Sequence, residues 1–464
     1  MAVTASNMEK WLRTLLNADD CRPNLSLKEY LDAIPRLESL GDLPPSTVVL
    51  VRGDTDAKPG ATIGEGDIRL RSMQPTLEFG RQKGWIQVVF GHIGREPEKS
   101  LEKVRKRLAE ILKTDVAFIK DWLDPATGTI KDEVVQAIRS AKPGDVILLE
   151  NTRKYDVERV LWKAKPADIP QLTEKLAKLA NEFVTKVAKV YVHEAFSAGS
   201  LDSSSVVVPA GMERVALGKY EQGEFSGPLM DCLNAQLVVS SGLKIDKLDD
   251  LEAMIDRGKI RLVFAAGSLA MGLKKASEQL DGRDFSIGVS EDPAHKDKPY
   301  FIPPKRIDQA KKLVSEGRAK GIEFVMPADF VLADGRVATT LGPGDQQLDV
   351  GPATARLFEQ KVGQFIAAAK SFPEPGVAFH NGVFGMFEDP RFEAGTKAFV
   401  PQLKRMHDAG VRVYVGGGEG GTALERYGKP DWVTHNFTAG GTVLNALGSE
   451  PVPYLVALQA AAAR

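Results

Sequence analysis

The residues with the clearest chemical purpose stand just after short apolar runs. Val48–Val51 is followed by Arg52-Gly53-Asp54-Thr55-Asp56, Ile86–Phe90 by Gly91-His92-Ile93-Gly94-Arg95, and Val146–Leu149 by Glu150-Asn151-Thr152-Arg153. Arg69 and Arg71 fall where the first helix behind these runs should start. Guanidinium forks match the oxygens of carboxylates and phosphates, so cations gathered on one rim make an anion site. The competing reading is that each arginine simply pairs with a neighbouring Asp or Glu.

Farther along the chain the same positions carry glycine. Arg412–Val415 runs into Gly416-Gly417-Gly418-Glu419-Gly420-Gly421, Val433–Phe437 into Thr438-Ala439-Gly440-Gly441, and Leu262–Phe264 into Ala265-Ala266-Gly267. Bare backbone at a helix start lets amides approach phosphate oxygens, with the helix dipole assisting. Tight strand-to-helix turns also use glycine, so each loop alone is ambiguous. Gly416, Gly418 and Gly421 match G-x-G-x-x-G, but the acidic residue expected about 20 positions on is missing. No G-x-x-x-x-G-K-[ST] occurs. Asp54-Thr55-Asp56 has the D-x-D form of some metal-dependent glycosyltransferases, a match too short to weigh much. The 6 histidines show no H-x-x-x-H or H-E-x-x-H spacing, which argues against zinc.

Parallel strands buried on both faces would position such rims. The apolar runs are largely continuous rather than alternating, which predicts strands of that kind. Helical patterns separate them at Leu101–Leu112, Leu172–Lys186, Lys247–Asp256, Ile307–Lys320 and Ala353–Ala369. Strand and helix in alternation give doubly wound α/β sheets, whose ligands bind beyond the strands' carboxyl ends. Gln222-Gly223-Glu224-Phe225-Ser226-Gly227-Pro228 breaks the periodicity and predicts a seam between two lobes. The first 45 or so residues are helical in pattern, and Ala457–Arg464 reads as a terminal helix.

The 464 residues suffice for two large α/β domains. Lys+Arg at 61 against Asp+Glu at 62 leaves a net charge of -1, which argues against nucleic-acid or membrane-surface partners. Two distant cysteines, Cys21 and Cys232, make neither a disulfide framework nor a metal site. A cytoplasmic protein is expected.

Taken in order, these strand ends resemble phosphoglycerate kinase, from near Val48 to near Val456. The family's V-R-x-D-F-N corresponds to Val51–Asp56, its R-I-x-x-x-x-P to Arg69-Leu70 with Pro75, S-H-L-G-R to Gly91–Arg95, E-N-L-R to Glu150–Arg153, and N-D-A-F to His193–Phe196. Then G-G-A-K-V-x-D-K is similar to Ser241–Lys247, one residue shorter, and W-N-G-P-x-G-V-F-E to His380–Glu388. G-T-K-A survives as Gly395–Ala398, G-G-G-D-[ST]-A becomes Gly416–Gly421, and S-T-G-G-G-A becomes Phe437–Thr442.

The resemblance implies two Rossmann-like lobes joined by a hinge. Residues 1–222 would bind an acid, with 442–464 packing back on them, and 223–441 would bind Mg-ATP. A phosphoryl group would pass between ATP and a carboxylate, giving an acyl phosphate. Arg69 and Lys244 would stabilise the transferring group with the amides of Gly417 and Gly418. Arg52, Asp54, Asp56, His92, Arg95 and Arg153 would surround the acid. Lys247, Gly267, Asn381, Glu388, Gly416 and Thr438 would contact the nucleotide, Glu388 at the ribose. Glu419 would hold Mg2+ where the family has aspartate. ATP or ADP, a small carboxylic acid with or without a phosphate, and a monomeric state complete the expectation.

Departures gather on the acid side. The family follows N-D-A-F with a His-Arg pair where Ser200-Leu201 stands here, and Asp56 replaces an asparagine. Losing a bidentate cation and gaining an anion predicts a carboxylate kinase with altered acid specificity. A true phosphoglycerate kinase and a non-catalytic nucleotide-binding relative are the alternatives.

Overall fold

The computed structural model describes residues 2–243 and 245–464. It divides into two compact units, Met1–Ser226 with Pro451–Arg464, and Gly227–Glu450. The first is built on a parallel six-stranded sheet of Val48–Gly53 (β1), Ile86–Phe90 (β2), Val116–Ile119 (β3), Val146–Leu149 (β4), Val190–Glu194 (β5) and Arg214–Leu217 (β6), in the order β3-β4-β2-β1-β5-β6. Pairing of Arg52 with both Phe90 and His193 sets three strand ends level, which is what gathers their following loops on one rim.

The runs form strands because both faces are covered. On one, Val49, Val51, Val89 and Val192 pack with Leu70, Met73 and Leu77 of the helix Ile68–Gln82 and Val104 and Leu108 of the helix Glu102–Leu112. On the other, Leu50, Val88, Phe90 and Tyr191 are buried, Phe90 against Phe183. The N-terminal segment also folds onto this unit. Its helix Ala5–Leu15 buries Met8, Trp11 and Leu12, and Trp11 Nε1 donates to the Val206 carbonyl at 2.8 Å. Pro453–Ala462 returns to the same unit, where Tyr454 stacks on His193 at 4.0 Å between ring centroids.

A second parallel sheet organises Gly227–Glu450. Leu237–Ser240 (β7), Leu262–Ala265 (β8), Glu323–Val325 (β9), Val377–Asn381 (β10), Arg412–Val415 (β11) and His435–Asn436 (β12) lie in the order β9-β8-β7-β10-β11-β12. Reversal of strand order at β7 and β10 makes the crevice in which such sheets take ligands. The helix Gly440–Leu447 belongs to this unit, so the return to the first comes at Pro451, later than residue 442.

Three details differ from the sequence reading. β3 and β6 were not expected: the burial of β3 is confined to Val116, and β6 opens on Arg214 before three buried apolar residues. Val433–Phe437 contributes only its central pair to the sheet. The stretch read as a break is helical, with a π-type turn at Phe225–Leu229 that takes Pro228 into the helix. Among the described residues, no helix is long and apolar enough to cross a membrane.

Candidate active site

Each unit carries its own group of candidate residues. In the first, the β1 end delivers Arg52, whose side chain is wholly enclosed. Its Nε donates to Ser204 Oγ at 2.8 Å, Nη1 to the Gly53 carbonyl at 2.8 Å, and Nη2 to His92 Nδ1 at 2.8 Å. Arg52 is therefore a strut that orients His92 rather than an open ligand. Because an arginine can only donate, Nδ1 is the acceptor and the neutral imidazole carries its proton on Nε2. Burial, then the charges of Arg52, Arg153 and Arg69, hold the His92 pKa well below its ordinary value. His92 thus offers a neutral N–H donor.

Asp54 is equally closed in, accepting from Ser197 Oγ at 2.7 Å and Ser197 N at 3.2 Å. Asp56 accepts from Gly94 N at 2.9 Å and from Arg69 Nη1 at 2.9 Å. Arg69 lies in the opening turn of Ile68–Gln82. That turn is anchored by buried Asp67, which accepts from Gly64 N at 3.0 Å and Arg71 Nε at 2.9 Å and is paired with Arg107. The Glu150-Asn151 pair serves the loop after β2: Glu150 accepts from Leu101 N at 2.7 Å, and Asn151 Nδ2 donates to the Lys99 carbonyl at 2.9 Å. Arg153 Nη1 then donates to the Gly94 carbonyl at 2.7 Å, tying this loop to β4.

The sequence reading missed Asp202, Glu158 and Trp162. Asp202 is fully buried and accepts from Arg153 Nη2 at 2.9 and 3.2 Å and from Trp162 Nε1 at 2.8 Å. Glu158 accepts from Ser204 N at 2.8 Å, and burial together with the Asp202 charge raises its pKa to about 7. No motif marks these residues: Glu158 and Trp162 follow Arg153 in the chain, and the loop leading to Ser203–Val206 brings Asp202 to them. Arg95 differs from its neighbours in being exposed, with no partner for its guanidinium among the described residues.

In the second unit Gly416–Gly418 leads from β11 into the helix Gly418–Tyr427. Gly417 has φ +50° and ψ −165°, and a Cβ there would meet the Phe437 carbonyl oxygen at 2.5 Å and Ala439 N at 2.8 Å. Only glycine allows this approach to the segment around Thr438. Asn381 Nδ2 donates to the Gly416 carbonyl at 3.3 Å, and Lys247 Nζ donates to Asn381 Oδ1 at 2.7 Å. Lys247 and Asn381 thereby brace the glycine loop. Nearby, a cavity of about 390 Å³ is lined by Gly242, Gly267, Leu348, Phe384, Glu388 and Glu419 among others. Its walls combine apolar side chains with a few polar groups, the usual make-up of a small-molecule site. Lys244 lies outside the described residues.

The phosphoglycerate kinase family model matches residues 45–450. The chain belongs to the phosphoglycerate kinase family. Phosphoglycerate kinase of Saccharomyces cerevisiae is 30% identical over 406 residues, which is 83% of this chain and 89% of the relative. That of Bifidobacterium longum subsp. infantis is 30% identical over 443 residues, 91% of this chain and 99% of the relative. The crystal structure of phosphoglycerate kinase from Pyrococcus horikoshii OT3 superposes with a TM-score of 0.69 at 22% identity, covering 92% of this chain and 99% of that one. The fold of two parallel α/β sheets is that of the family. As a member of the phosphoglycerate kinase family, the chain is a kinase with a carboxyl group as acceptor.

His380 stands where the family's tryptophan does, and it yields a pH prediction. It is buried, stacks on Phe399 at 5.6 Å, and burial lowers its pKa to about 4. The unfolded chain takes up this proton near pH 6.5 and the folded chain only near 4. Stability is therefore fully present above about pH 6.5 and is lost as pH falls toward 4. A His380→Phe variant should gain roughly 2–3 kcal/mol relative to the parent between pH 7 and 4.5, measured by urea unfolding. Parallel pH profiles for the two proteins would refute this.

Proposed function

We propose that this chain transfers a phosphoryl group between ATP and the carboxylate of 3-phosphoglycerate, the reaction for which its relatives are named. A carboxylate oxygen bonds to the γ-phosphorus as the bond to the β–γ bridging oxygen breaks. ADP and the acyl phosphate 1,3-bisphosphoglycerate result. The observation that carries this reading is the Gly416–Gly418 loop: amides at a helix start, adjoining a cavity lined by Glu388 and Glu419, suit the phosphates of a nucleotide. The strand-end cations of the first unit support an acidic co-substrate. In this reading Arg69 stabilises charge on the moving phosphoryl group, and neutral His92 and exposed Arg95 face the acid.

Among the described residues no three His, Cys, Asp or Glu side chains gather into a metal cluster. Mg2+ needs none when it comes with a nucleotide, since one or two carboxylates and phosphate oxygens suffice. Exposed Glu419, in the first turn after the glycine loop and lining the cavity, suits that role. When bound, the ion neutralises phosphate charge.

The altered-acid reading, which the sequence alone favoured, has less support from the comparisons than the plain phosphoglycerate kinase reading. One observation keeps it in view: Asp56 and Asp202 already pair with Arg69 and Arg153. Hydroxylamine trapping separates the cases, because acyl phosphates give hydroxamates. With Mg-ATP, 3-phosphoglycerate should give a strong signal. A signal only with other carboxylic acids would establish altered specificity. Silence across an acid panel, with nucleotide still bound, would make the chain a non-catalytic relative.

A further inference from the structure

Arg153 is the buried cation at the β4 end, and it is already engaged. Its Nη2 donates to both oxygens of Asp202, its plane lies over Trp162 at 4.7 Å, and its Nε has no partner among the described residues although the residue is only 6% exposed. Asp202 also stands 3.6 Å from Arg52 Nη2 and 3.5 Å from His92 Nδ1. A single internal carboxylate thus occupies the centre of the first unit's cationic rim. It follows directly on Leu201, where the family has arginine. The rim lacks that cation, and the next residue in the chain is an anion.

We propose that Asp202 sets the acid selectivity of this enzyme, as a resident carboxylate that competes with the phosphate end of the acid for Arg153. A phosphate approaching Arg153 meets like charge unless the Arg153–Asp202 pair opens. Exposed Arg95, which has no carboxylate partner for its guanidinium among the described residues, remains to receive it. The orphan Nε of Arg153 is consistent with a fork that a lone carboxylate, bound through Nη2, leaves half used. The phosphorylated acid is consequently favoured over its unphosphorylated counterpart by less than the number of arginines implies. The identity of the acid rests on the function proposed above; the competition at Arg153 does not.

The test compares the full-length protein with Asp202→Asn, which keeps the shape and the acceptor for Trp162 but removes the charge. KM for 3-phosphoglycerate should fall by about tenfold in Asp202→Asn, with kcat and the KM for ATP changing far less. The ratio of kcat/KM for 3-phosphoglycerate over that for glycerate should rise by about the same factor. Calorimetric titration of the nucleotide-free proteins with inorganic phosphate gives a readout that needs no turnover, and the variant should bind more tightly. Leu201→Arg, at a half-buried position, supplies a second route if Asp202→Asn does not fold: the new cation draws Asp202 off Arg153 and should lower the same KM. An unchanged or raised KM with unchanged phosphate binding overturns the proposal while leaving the kinase reading intact. Tighter phosphate binding in a protein that turns over neither acid supports the competition and refutes 3-phosphoglycerate as the substrate.

Discussion

Replacing Arg69 with alanine lowers turnover by about 10³-fold or more and leaves ATP affinity nearly unchanged. The phosphoryl group in flight carries its charge on oxygens that a guanidinium neutralises best when held in place beforehand. Here the hold comes from Asp56, which accepts from Arg69 Nη1 at 2.9 Å, and from the Asp67-anchored start of the helix. Stability should change little. Both side chains of the Arg69–Asp56 pair are about a quarter to a third exposed, so its loss costs at most about 1 kcal/mol. Asp56 keeps the Gly94 amide and gains water. The expected signature is a collapse of kcat without a shift in melting temperature or nucleotide affinity. If the variant retains more than about a tenth of parental turnover, Arg69 does not stabilise the transferring group.

Gly417→Ala should be the more damaging change in the second unit. Its φ of +50° with ψ of −165° is a conformation essentially reserved for glycine, and forcing another residue there costs about 1–3 kcal/mol. The added Cβ would also collide with the Phe437 carbonyl oxygen and Ala439 N. Both are backbone atoms and cannot rotate aside, so the glycine loop must part from the Phe437–Ala439 segment. ATP affinity should fall by more than about tenfold, and the melting temperature by several degrees. Gly418→Ala is the control. Its φ is +55°, yet no atom of the other described residues lies within 4 Å of the added Cβ, so it carries the strain without the collision. Equal effects of the two substitutions, by calorimetry and nucleotide titration, would mean that close approach to Phe437 plays no part.

The anion-site reading and its competitor, pairing within the protein, both have a share in the outcome. Arg69 and Arg153 are paired with Asp56 and Asp202, Arg52 is a buried strut, and Arg95 stays open. The residue types were sound indicators of where charge would gather. They could not say which cation would face outward, since that depends on loops returning from distant parts of the chain.

What the sequence determined by itself is the layered α/β fold and the places where chemistry collects. Strands covered on both faces must be continuously apolar, and the polar or glycine residues that end such runs must lie on the rim. Edge strand β3 has that cover only at Val116, whereas β6 is buried at Val215, Ala216 and Leu217 and is set in place by its pairing with β5. The tertiary structure alone decided that Asp202 meets Arg153, 49 residues away, and that Asn381 braces Gly416 across the sheet. Hydrogen bonds and ion pairs act over a few ångströms of space, and no local pattern of residue types records which distant loops the packed core brings that close.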